Sequence, residues 1–290
     1  MHKFLRSIGF SDIRKNDLKM ILEETIERPN TVKMTKDSEG NEFAEFSKEF
    51  ANGMGIIVRG SYDEEDAFEM NYYLPYSCST KISTGEQIDM EKHAEKESYA
   101  GVCDDVRLGV TLIFYVQNVA EFLSEYHQNI YTKNIKGALL SALSVQGKIL
   151  LPVQQKKAAK QYYSNKNEKR NQLIAQAREG NEEAIENLTL ADMDTYSSIS
   201  RRLAKEDILS IVDSYFMPYG IESDQYSILG TITEVEETYN MFTQEKIYRL
   251  GILCNDIEFD VTINERDVFG EPEVGRRFKG NIWMQGTVCL

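Results

Sequence analysis

The side chains best suited to chemistry gather in one segment, residues 277–289. Read as a strand, it alternates: Phe278, Ile282, Met284 and Val288 take one face, and Arg277, Lys279, Trp283 and Gln285 the other. The single tryptophan then shares a face with two cations. An indole beside Arg and Lys can hold single-stranded nucleic acid, because bases stack on the ring and phosphates meet the charges. The same face can equally dock the strand on a neighbouring domain, and a bulge at Gly280 would exchange the two faces. Residues 154–172 carry six basic side chains, Lys156, Lys157 and Lys160 among them, against one acid, Glu168. They would extend an electropositive track if the connector lies beside the strand, and are otherwise a solvated helix surface.

Catalytic arrangements are harder to find. Of the three histidines, His93 is the one to pair with Cys103 as base and thiolate, with Glu95, Asp104 or Asp105 orienting the ring. Buried cysteines and surface histidines explain the same residues more simply. No GxSxG, HExxH or P-loop occurs, nor a GxGxxG after a strand, so an enzyme would be of unrecognised type. Cysteines 78, 103, 254 and 289 form no CxxC, which argues against a zinc knuckle or dithiol redox pair and for free thiols in a reducing cytosol. The acidic run Asp63-Glu64-Glu65-Asp66 lacks EF-hand spacing and reads as a solvated turn. No metal or cofactor is expected. The tyrosines of Asn71-Tyr72-Tyr73-Leu74-Pro75-Tyr76 offer either a recognition surface or sheet packing.

These residues must be positioned by a globular scaffold. The 290 residues, 41% hydrophobic and 10% aromatic, suffice for a packed core and exclude disordered or collagen-like character. The net charge of −14 repels bulk nucleic acid and anionic lipid unless a local basic patch intervenes. Nothing in the sequence reads as a signal peptide or a membrane-length apolar run, so a cytoplasmic protein is expected.

Apolar periodicity predicts a helix over 17–28, capped by Asn16 or Asp17, its stripe including Leu18, Met20, Ile21 and Leu22. Alternating segments over 31–36, 42–50, 55–61 and 67–74, separated by turn formers, predict an antiparallel meander. A strand apolar on both faces follows at 108–116. Asn118 and Glu121 then suggest a capping box for a helix burying Val119, Phe122, Leu123 and Tyr126. Gly137–Val145 and Lys148–Val153 read as a hairpin turning at Gln146-Gly147. Past the basic connector, Gly180 stops one helix of an αα-hairpin, and Ile208 to Tyr215 suggest another helix. Strands at 226–235, 246–253, 257–263 and 277–289 predict a small antiparallel barrel of oligonucleotide-binding-like or SH3-like type. The expected fold is α+β: an N-terminal antiparallel β-rich domain over 1–153, a helical connector over 154–221 and the C-terminal barrel over 222–290.

Three segments carry a likeness: Met1-His2-Lys3-Phe4-Leu5-Arg6-Ser7-Ile8-Gly9-Phe10, Met217-Pro218-Tyr219-Gly220-Ile221-Glu222-Ser223-Asp224-Gln225-Tyr226, and the run from Gly275 to Gly286 that contains Trp283. Together the chain resembles, over nearly its whole length, an uncharacterised bacterial family known only as a domain of unknown function. The resemblance implies a bacterial cytosolic protein and brings no activity, cofactor or catalytic residue. The resulting expectation is a non-enzymatic protein that binds another protein or itself. Single-stranded nucleic-acid binding through Arg277, Lys279 and Trp283 is the alternative, and an unrecognised enzyme the third reading.

Overall fold

The computed structural model describes residues 1–63, 65–93, 97–127, 135–152, 169, 172–177, 180–188, 190–191, 209 and 212–290. The chain opens with a 3-10 helix, Lys3–Ile8, and helix α1, Lys15–Glu27. α1 starts two residues before the predicted helix. Arg14 precedes it with no side-chain cap, so neither Asn16 nor Asp17 caps it. Leu18, Ile21, Leu22 and Thr25 are buried as the period demands, whereas Met20 faces outward.

Strands β1 (Thr31–Lys36), β2 (Glu42–Ala51), β3 (Met54–Tyr62) and β4 (Phe68–Ser77) form the predicted four-stranded antiparallel meander. The Asp37 carboxylate accepts the N–H groups of Glu39 and Asn41 at 2.9 and 2.8 Å, closing the first turn. Asp63 closes the third turn in the same way, with Glu65 and Ala67. That carboxylate of the acidic run is therefore occupied by its own backbone.

The second sheet takes strands from both halves of the chain: β5 (Thr84–Lys92), β6 (Tyr99–Cys103), β7 (Leu112–Val116), β8 (Ile135–Leu150), β9 (Tyr215–Pro218), β10 (Gln225–Tyr239), β11 (Lys246–Cys254), β12 (Ile257–Asn264), β13 (Val268–Phe269) and β14 (Arg277–Val288). Its pairings make two closed circuits. One runs β8–β14–β10–β11–β12 and back to β8; the other runs β8–β5–β6–β7–β14 and back. The antiparallel β8–β14 ladder, from Leu150↔Arg277 to Ala138↔Val288, is common to both.

Three sequence expectations change here. The strands of 222–290 do not close among themselves, because β8 from the first half stands between β12 and β14, and its pairing with β12 is parallel. The expected hairpin at Gln146-Gly147 is one continuous 16-residue strand. Gly147 is needed there for space: a Cβ would come within 2.4 Å of the Phe278 ring. Tyr215, read as part of a helical stripe, begins β9.

Between β7 and β8 lies helix α2, Val119–His127, which buries Val119, Phe122 and Leu123 but leaves Tyr126 half exposed. Asn118 does more than the predicted cap. Its amide donates to Glu121 at 3.1 Å, and it exchanges two hydrogen bonds with the Val288 backbone, tying α2 to β14. Gly180 stops the connector's helical segment as expected, with φ +86° and its N–H on the Ala177 carbonyl.

Two apolar clusters fill the molecule. One lies inside the circuits, around Phe114, Leu140, Phe259, Phe278 and Met284. The other lies where the meander, α1 and the 3-10 helix pack on the outer side of β8 and β14, around Phe10, Ile21, Ile56, Leu143 and Trp283. Between the sheets sits Arg59, fully buried on β3. Its Nε donates to Glu45 at 2.7 Å, Nη1 to the Tyr72 and Tyr115 hydroxyls at 3.1 and 3.4 Å, and Nη2 to the Gln117 carbonyl. Tyr72 and Tyr76 thus belong to sheet packing.

A buried cation held through all three guanidinium nitrogens leaves the Glu45 carboxylate with only Lys33, at 4.0 Å, when it is removed. Arg59→Met is expected to lower the unfolding free energy by about 3–5 kcal/mol, read from urea titration. A loss under about 1 kcal/mol would mean that Glu45 finds water or another partner.

Candidate functional site

The predicted alternation of β14 holds. Phe278, Ile282, Met284 and Val288 all join the inner cluster, and the register with β10 runs unbroken from Arg277↔Thr231 to Trp283↔Gln225. A register shift does occur beside Gly280, but the extra residue is on β8, between Ser144 and Gly147, so the faces of β14 are not exchanged.

Coverage of the outer face differs along its length. At one end Arg277 is buried and donates to the carbonyls of Leu151, Leu209 and Val212 at 3.1, 2.8 and 3.0 Å, and burial pulls its pKa down. At the other end Trp283 is 5% exposed. Its indole donates to Asp224 at 2.7 Å, Phe4 stacks on it at 5.3 Å, and His2 and Tyr115 lie at 4.8 and 5.4 Å. Gln285 is wholly buried, donating to the Pro75 carbonyl and accepting from Gln117. Of the four residues expected to form a binding face, three are covered, because the 3-10 helix and the meander seal one end and Leu209 and Val212 meet the other. Lys156, Lys157 and Lys160 lie outside the described residues.

Lys279 remains, in the window between the covered ends. Opposite it in the ladder is Lys148, and opposite Lys148 on the parallel side is Phe269. These three strands therefore present Phe269, Lys148 and Lys279 in one row. Phe269 is 73% exposed, with the Lys148 ammonium 5.6 Å from its ring centroid. Lys148 and Lys279 form no ion pair among the described residues. Together with Ser227, Asn281 and the backbone of the Gly147↔Gly280 pair they line a groove of about 340 Å³. The one carboxylate of its described lining, Asp267, is held by Arg6 at 2.6 Å, which neutralises it and raises the Arg6 pKa. A two-glycine floor, two ammonium groups with no ion-pair partner among the described residues and an open aromatic face can take an anion with a flat ring.

Gln146 and Asn281 also wall a second cavity of about 160 Å³. It carries Lys3, exposed and bonded to Gln225 at 2.9 Å, and Tyr219, 47% exposed. Sequence reasoning missed Phe269, Lys148, Tyr219 and Lys3. Lys148 was assigned to a hairpin, and Phe269 stands in a run of turn formers with no periodicity to mark it.

The chain matches the family model described as "Domain of unknown function, E. rectale Gene description (DUF3881)" over residues 5–286. It belongs to this family. No curated protein and no solved structure matches it. The DUF3881 chain therefore has to be read from its own geometry.

That geometry separates the proposed catalytic pair. On the β5–β6 hairpin the N–H of His93 bonds to Ser98, whereas Cys103 lies at the far end beside Leu112. Five residues of strand from Ser98 to Cys103 put them about 16 Å apart. Cys103 is buried, which pushes its thiol up to about 11. Asp105 is likewise not free to orient an imidazole, since Arg107 and Thr84 hold it and keep it below the usual carboxylate range despite its burial. Glu95 lies outside the described residues. Among the described residues no cluster of His, Cys, Asp or Glu could hold a metal ion, and no helix is long and apolar enough to cross a membrane.

A second polar cleft, of about 80 Å³, contains Cys78, Lys81, Arg249 and Asp260. Its cations are already engaged, Lys81 with Glu234 and Glu258, and Arg249 with Glu236 and the Asn52 carbonyl.

Two expectations follow. Burial, with Lys3 beside it, lowers the His2 pKa from 6.5 to about 4. The unfolded chain then binds a proton that the folded chain refuses, so stability declines as pH falls from about 6.5 to 4. Trp283 emission is expected blue-shifted and shielded from iodide at pH 7. In urea titrations followed by that emission, His2→Phe should flatten the midpoint's decline across this window; an equally steep decline would show that the decline comes from other groups. Separately, native-state alkylation should spare Cys103 and also Cys254, which burial pushes up to about 12, while Cys78, which reaches the surface although burial and Glu49 push its thiol up as well, is labelled. Fast labelling of Cys103 would restore the thiolate reading.

Proposed function

We propose that the protein is a non-enzymatic binding protein whose groove over Lys148, Lys279 and Phe269 takes an anionic ligand bearing a flat ring. The observation that carries this reading is the row itself. Two lysines directly opposite in an antiparallel ladder repel each other and weaken the sheet, yet neither has a carboxylate partner among the described residues. Beside them Phe269 leaves most of its ring to solvent at the cost of its own burial. Like charges and an open aromatic placed together are unfavourable in the free protein and favourable once an anion neutralises the pair and a ring stacks. We read the circuit β8–β14–β10–β11–β12 as a small barrel, with the groove on its outside, in a bacterial cytoplasmic protein. This reading keeps the nucleic-acid alternative's chemistry and Lys279, but replaces Arg277 and Trp283 with Lys148 and Phe269.

Adenosine 5′-monophosphate at millimolar concentration is the simplest probe. Saturation transfer from the protein to the adenine protons is expected, falling several-fold in Phe269→Ala and in Lys148→Ala/Lys279→Ala. These side chains stand on the surface, and unchanged Trp283 emission checks that each variant is folded. No transfer, or transfer indifferent to all three side chains, overturns the proposal.

A further inference from the structure

Resting on that reading, we propose that the ligand is single-stranded nucleic acid, laid across the sheet from Phe269 to Tyr219. The argument is continuity. The groove over Lys148 and Lys279 and the cavity over Lys3 and Tyr219 both have Gln146 and Asn281 in their lining, so they adjoin, and a strand passing over those two residues would join them into one trough. Each half repeats the same elements: an exposed aromatic, Phe269 in one and Tyr219 in the other, with lysine beside it. A single nucleotide needs one such module. A repeat of two suits a polymer whose rings and phosphates alternate, since every base offers a face to stack and every linkage a charge.

Charge points the same way. The described lining of the trough holds three lysines and one carboxylate, and Arg6 already neutralises that carboxylate. In a chain of net charge −14 such a stretch is a local exception, and a surrounding negative surface confines a polyanion to it. Tyr219, just past β9, pairs with Gln225 and so lies four strand spacings across and four residues along from Phe269, about 23 Å away in the plane of the sheet. A trough of that length takes about four nucleotides, the lower end of the sites found on small barrels. A duplex has no unstacked bases to offer the two rings.

The test is fluorescence anisotropy with labelled oligothymidylates of one to twelve nucleotides and the full chain. Affinity is expected to rise at least tenfold between one and about four nucleotides and then level off. It should fall with salt at a log–log slope near −2, for about three phosphate contacts. Phe269→Ala and Tyr219→Ala should each weaken the four-nucleotide ligand several-fold. If mononucleotide binds and longer strands bind no tighter, the single-strand proposal falls and the groove stands. Displacement of the oligonucleotide by polyglutamate of equal charge at equal concentration also overturns it, because the rings would then contribute nothing. If neither mononucleotide nor oligonucleotide binds, both readings fail together.

Discussion

Everything in this structure hangs on one ladder. Strands β8 and β14 pair along nearly their whole length and belong to both circuits of the larger sheet, so each is hydrogen-bonded on both sides. Double use demands that the two backbones approach closely and that the space inside be filled. At Gly147↔Gly280 both demands meet: a Cβ on either glycine would clash with Phe278, coming within 2.4 Å of it at Gly147 and 2.7 Å at Gly280. The glycines let that ring lie over the ladder, and the ring in turn seals the inner cluster. Because closed circuits leave few unpaired strand edges, a sheet of this size avoids the edge-to-edge association that open sheets must guard against.

The ladder also explains why the second core exists. A strand buried inside on one face must do something with the other, and here the outer face of β8 and β14 meets the meander. The junction is not purely apolar. Arg59 donates hydrogen bonds to Glu45, Tyr72 and Gln117, and Gln117 extends the network to Gln285, Ser141 and Ser77. Buried charge costs desolvation, so such a network adds little net stability over apolar packing. What it supplies is register: a shift of the meander by one residue would turn Arg59 to the other face of β3 and strand Gln117.

How much of this could be read from the residues depends on the range of the interaction involved. Period-2 alternation is local, and it correctly placed the four meander strands and the two faces of β14. Gly147 shows where locality fails. Gln-Gly between two apolar runs has the composition of a turn, and only the Phe278 ring, 131 residues away in sequence, distinguishes a packing glycine from a turning one. The parallel pairing of β12 with β8 is invisible for the same reason, since no connection in the sequence joins those strands directly. Trp283 is the instructive middle case: its face was legible, but its cover, Phe4 and His2, lies at the other end of the sequence.

That partial cover is what turns a structural strand into a candidate binding surface. Had both covers been absent, the 3-10 helix with the meander at one end and Leu209 with Val212 at the other, β14 would present Arg277, Lys279, Trp283 and Gln285 together, as alternation alone suggests. With both in place, the outer face is open only between them, where the side chains are Lys279 and Asn281. The row crossing the strands at that point then matters more than the strand itself, and it adds Lys148 and Phe269, which no reading along β14 could supply. Arg6 completes the arrangement from the same 3-10 helix that covers Trp283. By holding Asp267 it removes the one negative charge in the groove's described lining, so the element that closes one part of the face also makes the open part cationic.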